Sequence, residues 1–402
     1  MATQPLVQGQ QTGYGGAQTA PVETPSFQGD VPGEDAAENP NASAPQPSAP
    51  SVDKMDAVAG YEGIGFDANA PLAPPPPYSA VEAPKPAPEA NVNIPKVTED
   101  QARQALLDHV AQHCCYGKKP ARDLVFNSIA PSSAFHYTLE TFAEGRGTSW
   151  AMEPYTGQPI DGPMNGPPPR PWDIQAQPLG LFQDEVRYIE VPHTASVKPC
   201  HNCFATGCIR CYHCFGRGRV RCSSCGGTGH NWVHRDGHRH HERCTWCFGS
   251  GRKRCSTCHG HGQVGCPVCH RATQLKCYIK LTITWKNHKA DHVVERTSLP
   301  PELITQAQGQ MAFKDDQFRV APIMNFPDQA VNEASQQLVA NHGSAFAHER
   351  ILRQRHQVRI VPVSDVAYAW NGQTGRFWVY GYEHAVHAPD YPQKCCWGCS
   401  IL

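Results

Sequence analysis

The 402-residue sequence predicts an α+β fold: a β-rich domain interrupted by an elongated cysteine hairpin arm and preceded by a disordered, proline-rich acidic tail. Three observations predict it. Residues 1–95 hold 17 of the 37 prolines and eleven acids against two bases (Lys54 and Lys85), with no Cys or Trp. Such a segment cannot bury enough apolar surface to offset its ordering entropy. Residues 200–269 carry six Cys-x-x-Cys pairs at a regular period. The stretches on either side of that block alternate apolar and polar residues with the period of two that a half-buried strand requires.

The expected organisation is a tail over 1–96, an α+β domain split into 97–199 and 270–391, the arm at 200–269, and a cysteine-rich end at 392–402. No run approaches the roughly 18 apolar residues of a membrane span, and the opening residues show no secretory pattern. The expectation is therefore a cytoplasmic protein. Thiols stay reduced there, so nineteen cysteines point to metal rather than disulfides.

Within the tail, Pro75, Pro76 and Tyr78 form a Pro-Pro-x-Tyr motif of the kind WW domains grip as a polyproline II helix. Thr98-Glu99-Asp100 followed by Ala102, Ala105, Leu106 and Val110 predicts a capped amphipathic helix ending near Cys115. Ala134–Ala143 and Thr148–Met152 read as hairpin strands around Glu144-Gly145-Arg146-Gly147, and a Pro/Gly-rich connection follows through Pro167-Pro168-Pro169. Glu185–Val191 alternates as a strand with Val186 and Tyr188 outward. Leu275–Trp285 alternates strongly, with Cys277, Ile279, Leu281, Ile283 and Trp285 on one face. Farther on, Asp328–Asn341 and Ala345–Arg355 read as helices separated by His342-Gly343. Gln357–Trp370 and Arg376–Glu383 read as a hairpin around Asn371–Gly375.

The pairs are Cys200/Cys203, Cys211/Cys214, Cys222/Cys225, Cys244/Cys247, Cys255/Cys258 and Cys266/Cys269, their first members 11, 11, 22, 11 and 11 residues apart. The array is palindromic about the gap between residues 234 and 235. A Zn²⁺ ion takes four ligands in a tetrahedron, and each pair supplies two. Pairing of sequential neighbours or nested pairing of mirror images would each give three zinc ions, but nesting alone accounts for the palindrome. Glycines recur at fixed offsets after Cys214, Cys225, Cys247 and Cys258, where a tight turn needs positive φ and N–H groups aimed at sulfur. The outer pairs are degenerate: Cys203 leads to Ala205 and Gly207, and Cys269 to no glycine. A regular period favours zinc over disulfides or a dithiol redox centre.

Repeats of the form Cys-x-x-Cys-x-Gly-x-Gly resemble the cysteine-rich domain of DnaJ-type (Hsp40) co-chaperones, matched here over residues 200–269. Two additional pairs are present, and no His-Pro-Asp occurs, so the resemblance does not extend to Hsp70 stimulation. The order of proline-rich acidic start, DnaJ-like block and β-rich end with Phe377-Trp378-Val379-Tyr380-Gly381 resembles the Ssu-two homologue family. The resemblance implies a chaperone-like adaptor that contacts polypeptide clients or protein partners.

Other features are secondary. Residues 200–277 carry a net +10, which three Cys₄ zinc sites at −2 each would reduce to about +4. The segment His230–Arg243 reads as a hairpin turning at Asp236-Gly237. Its histidines (His230, His234, His238, His240, His241) are candidates for a further metal, but a solvated tip is favoured over that site and over nucleic-acid binding. Cys208 is a spare thiol, Cys277 a core residue, and Cys114 and Cys115 are read as buried thiols. Cys399-Ser400-Ile401-Leu402 fits a prenylation box, with Cys395 and Cys396 placed for palmitoylation, which would tether the chain to the cytoplasmic face of a membrane. No hydrolase, nucleotide or dinucleotide motif is present, so no enzyme is expected; a thiol oxidoreductase is the rival reading and a nucleic-acid-binding zinc protein the second.

Overall fold

The computed structural model describes residues 49–66, 69–75, 96–294 and 296–394, and these are mostly β-strand with few helices. Two compact units are distinguished, one containing Arg210–Val264, the other Gln46–Ile209 with Gly265–Leu402. In chain order the elements are β1 (Ala70–Leu72), α1 (Glu99–Gln112), α2 (Lys118–Asp123), β2 (Val125–Pro154), β3 (Glu185–Glu190) and β4 (Ser196–Pro199). Six short strands follow: β5 (Cys208–Arg210), β6 (Arg219–Arg221), β7 (His230–Arg235), β8 (His238–Arg243), β9 (Arg252–Arg254) and β10 (Gln263–Gly265). The chain ends with β11 (Gln274–Val294), α3 (Pro301–Gln306), β12 (Gln310–Gln317), α4 (Gln329–Ala345), β13 (Glu349–Trp370), β14 (Gln373–Tyr380) and β15 (Ala385–His387).

The larger unit is built on three long antiparallel strands, β13-β2-β11. β2 pairs with β13 along residues 125–145 and with β11 along residues 135–154. Outside β13 run β12 and β14 end to end, and outside β11 run β3 and β4. α1 starts from a capping box in which Thr98 and Gln101 satisfy each other's backbone N–H groups. Its buried face (Ala102, Ala105, Leu106, Val110) packs on Val366, Tyr368, Phe377 and Val379. α4 begins at Asp328, whose side chain accepts from the Ala330 N–H, and packs Val331 against Tyr137, Val358 and Ile360. The inner face of β11 is as its alternation predicts: Cys277, Ile279, Leu281, Ile283 and Trp285 are all buried. Val186 and Tyr188 of β3 are exposed, also as expected. β4 and the start of β11 pair from Ser196↔Cys277 to Pro199↔Gln274, bringing the chain ends that flank the cysteine block side by side.

Three expectations need correction. Residues 134–152 form no hairpin: β2 runs unbroken through Glu144–Gly147, because Gly145 and Gly147 pair with Thr284 and Thr282 of β11. The charges read as turn residues are a buried pair, Arg146 Nε to Glu144 Oε1 at 2.6 Å, with Trp285 Nε1 also donating to Glu144 at 3.2 Å. Residues 345–355 form no second helix. α4 continues through His342, whose ring meets Thr141 Oγ1 at 2.8 Å, and Glu349 onward is strand, because pairing with β2 outweighs local helix propensity. Part of the acidic tail is ordered: Val58, Tyr61 and Ile64 are buried against Trp150 and Ile279, and β1 pairs with β2. The hairpin after Trp370 stands, turning at Asn371-Gly372 with φ of 50° and 78°. In the prolines of the WW-ligand motif, Pro75 is described, whereas Pro76 and Tyr78 lie outside the described residues, as do Cys395, Cys396 and Cys399.

Candidate metal centres

The cysteine block folds back on itself in the nested scheme. Cys200 and Cys203 meet Cys266 and Cys269; Cys211 and Cys214 meet Cys255 and Cys258; Cys222 and Cys225 meet Cys244 and Cys247. All twelve are buried, at most 8 % exposed. Sulfur–sulfur distances across each group are 3.7 and 3.5 Å in the outer group, 3.9 and 3.6 Å in the middle one, and 3.9 and 3.7 Å in the inner one. A tetrahedron with metal–sulfur bonds of about 2.3 Å has edges of about 3.8 Å, whereas a disulfide is about 2.05 Å long. The donor set and its spacing fit a four-coordinate metal ion in each group, and none of these pairs is a disulfide.

Backbone crossings produce this fit. The N–H of each pair's first cysteine donates to the mirror-image repeat: Cys211 to Gly262 O and Cys255 to Gly218 O, Cys222 to Gly251 O and Cys244 to Gly229 O, Cys200 to Thr273 O and Cys266 to Gly207 O, all at 2.8–2.9 Å. Within each turn an N–H points at sulfur, as with Gly218 to Cys214 (3.2 Å) and Gly229 to Cys225 (3.3 Å). The two inner groups need glycine where the repeats cross: a Cβ on Gly251 (φ +68°) would lie 2.3 Å from Gly227 O, and one on Gly262 (φ +76°) 2.3 Å from Gly216 O. The outer group makes the same turn without glycine on one side, since His270, Arg271 and Thr273 adopt φ of 46°, 71° and 67°. Left-handed backbone at non-glycine residues costs about 1–2 kcal/mol each.

The turns also set the acidity of the thiols. Burial pushes Cys200 and Cys214 up to about 12. At Cys244 burial is outweighed by the Cys247 and Trp246 N–H groups, which bring it to about 6, and at Cys266 by the Cys269 N–H, the Asn202 side chain and the Val268 N–H, also to about 6. In the middle group burial of Cys258 is outweighed by the Gly262 N–H and neighbouring thiols, giving about 7. In each group N–H dipoles are thus in place to carry negative charge when a cation joins it.

Arginines complete the turns, a role the sequence reading missed. Arg210, Arg221 and Arg254 precede the first cysteine of their repeats and donate Nε to the carbonyls of Phe215, Gly226 and His259, the left-handed residues, at 2.5–2.6 Å. The repeated Arg-Cys dipeptide was the available signal, and it recurs at Arg243-Cys244.

Of the remaining thiols, Cys277 is buried, as expected for a core residue, and burial raises its pKa. Cys208 is half-buried in β5. Cys114 is exposed and Cys115 half-buried, so neither is the buried thiol expected, because α1 ends at Gln112 and both follow it. The histidines of the hairpin tip form no metal-binding group with other ligands among the described residues.

No protein-family model matches the chain. Protein SSUH2 homolog from zebrafish is 40 % identical over 359 residues, covering 88 % of this chain and 97 % of that protein. Its human counterpart is 42 % identical over 311 residues (77 % of this chain and 81 % of that protein). The mouse protein is 41 % identical over 263 residues (65 % and 76 %).

Proposed function

The chain belongs to the Ssu-two (SSUH2) homologue family, and from that premise we propose that it is a non-enzymatic adaptor in which three zinc ions hold a DnaJ-like block that contacts polypeptides. One observation carries the reading. The residue after the second cysteine of a pair is left-handed in every repeat, and at three of these positions it is a phenylalanine in solvent: Phe204 (φ 48°), Phe215 (φ 50°) and Phe248 (φ 52°), 78 %, 44 % and 81 % exposed. The equivalent Gly226 forms the same turn without a side chain. The phenylalanines therefore carry a backbone cost and expose apolar rings that folding does not require, each available to an apolar side chain of a polypeptide. Phe204 also lines a cavity of about 320 Å³ with Met55, Pro199 and Leu275, wide enough for an apolar side chain of a partner.

Zinc is the metal of choice for four thiolates in a closed tetrahedron, and it brings no redox chemistry. Bound, it would supply folding energy and neutralise thiolate charge. The chain's residues would do the rest: the turns place the aromatic rings, and the Arg210 bond to the Phe215 carbonyl holds that turn. Absence of a His-Pro-Asp tripeptide argues against Hsp70 stimulation.

The test is binding of zinc-loaded full-length protein to a permanently unfolded polypeptide, carboxymethylated lactalbumin. Replacing Phe204, Phe215 and Phe248 together by Ala is expected to weaken binding at least 10-fold with three zinc ions retained. Unchanged binding, or sustained turnover in an insulin-reduction assay lost on Cys208→Ser, would overturn the adaptor reading.

A further inference from the structure

β7 and β8 pair in a register that sorts their side chains by chemistry. Directly opposed residues of an antiparallel ladder share a face. His230↔Arg243, Trp232↔His241 and His234↔Arg239 therefore lie on one face, and Asn231↔Glu242, Val233↔His240 and Arg235↔His238 on the other. The first face has four aromatic rings and two guanidinium groups without a carboxylate. The second holds the hairpin's one strand carboxylate, Glu242, and Arg235 stands 3.3 Å from it. On the first face the rings pack on one another: His230 and His241 are stacked, with centroids 4.6 Å apart and planes inclined at 23°, and Trp232 lies tilted 4.8 Å from His241, leaving the outer ring faces to solvent. Arg239 Nε is 3.4 Å from His234 Nε2. Trp232 is 66 % exposed.

The surroundings are cationic. Residues 210–264 contain ten Lys and Arg against Asp236 and Glu242, a net +8 that two Cys₄ zinc sites at −2 each would reduce to about +4. β6 and β9 oppose Arg219 to Arg254 and Arg221 to Arg252, like charges that cost stability when directly paired. A ladder that tolerates this repulsion suits a polyanion.

We infer that the His230/Trp232/His241 face of this hairpin binds single-stranded nucleic acid, its rings stacking on bases and Arg239 and Arg243 meeting phosphates. Flat rings flanked by guanidinium groups are the elements of a base-stacking platform, and such platforms are indifferent to sequence. An acidic peptide would use the charges and leave the rings idle. A lipid surface would require apolar side chains to enter the acyl region, and on this face Trp232 alone is of that kind. The inference is independent of the polypeptide contact proposed above, which uses other side chains.

The experiment is fluorescence anisotropy of labelled dT12 and rU12 with the zinc-loaded full chain between 50 and 200 mM NaCl. Binding should weaken with salt, with a log–log slope of about −0.7 per phosphate contacted. Trp232→Leu keeps apolar bulk but removes the ring, and should weaken binding roughly 5- to 150-fold, whereas Trp232→Phe should retain most of it. Arg239→Gln should flatten the salt slope by about 0.7. Val233→Ala and Arg235→Gln, on the opposite face, should change affinity less than 3-fold. Absence of oligonucleotide binding at 50 mM NaCl would overturn the inference, as would equal losses from both faces. So would Trp232-independent binding of polyglutamate at the same affinity, or binding to phosphatidylserine vesicles in place of the oligonucleotides.

Discussion

Changing Gly251 to Ala tests how the cysteine pairs are held together. The new methyl carbon would sit 2.3 Å from Gly227 O, 3.1 Å from its carbonyl carbon and 3.5 Å from Gly229 N, all backbone atoms of the mirror repeat. Relief requires the two repeats to part by about 1 Å, and Gly251 O accepts the Cys222 N–H while Gly229 O accepts that of Cys244. The left-handed φ adds about 1–2 kcal/mol, and weakening one backbone hydrogen bond about 1 kcal/mol. A total near 3 kcal/mol corresponds to roughly 100-fold weaker metal retention in the inner group. The control is Gly226→Ala, at φ +57° with no atom within 4 Å of the added methyl, where the backbone cost stands alone. Native mass spectrometry during a chelator titration reads both. Gly251→Ala should lose one of three ions at about 100-fold lower chelator, and Gly226→Ala should shift by 30-fold or less. Equal shifts would refute the crossing as the source of the geometry.

Thr273→Gly relieves a left-handed threonine beside the outer group and should stabilise that group by about 1 kcal/mol in the same titration; destabilisation would show that the Thr273 side chain contributes there. Serine at Cys222, at Cys244 and at both should each cost one and the same ion by native mass spectrometry, because both sulfurs belong to the inner group; loss of two ions in the double variant would contradict nesting. His356 is fully buried, its Nδ1 3.1 Å from Tyr137 Oη, and burial, outweighing the nearby Asp315 carboxylate, lowers its pKa to about 4. The folded state then refuses a proton that the unfolded chain accepts below about 6.5, so this contribution is intact above that pH and is lost as pH falls toward 4, by about 3 kcal/mol. Denaturant titrations should show a shallower acid slope for His356→Gln, and an unchanged slope would exclude His356 as its origin.

Chemistry that depends on spacing along the chain was legible without coordinates. The palindrome of Cys-x-x-Cys pairs, the glycine offsets, the alternation of Leu275–Trp285 and the Thr98 cap are local periodicities, and each maps onto observed geometry because a turn, a strand face or a cap is set by a few consecutive residues. What tertiary structure decided was long-range. Glu144-Gly145-Arg146-Gly147 looks like a turn, yet β11 pairs with all four residues, β13 flanks Glu144 and Gly145 and β1 flanks Arg146 and Gly147, and Glu144 closes on Arg146 and Trp285, so the strand continues. Ile351–Arg355 could serve a helix or a strand until β2 offers an unpaired edge. Val58, Tyr61 and Ile64, sparse in an acidic tail, find a core made by residues about ninety and two hundred positions away. The Arg–carbonyl bonds and the ring-bearing face of β7 and β8 likewise exist only once the register is known, since a shift of one residue would move every ring to the other side. Local pattern therefore specified the metal-binding turns, while pairing partners remote in sequence decided where strands end and which side chains share a surface.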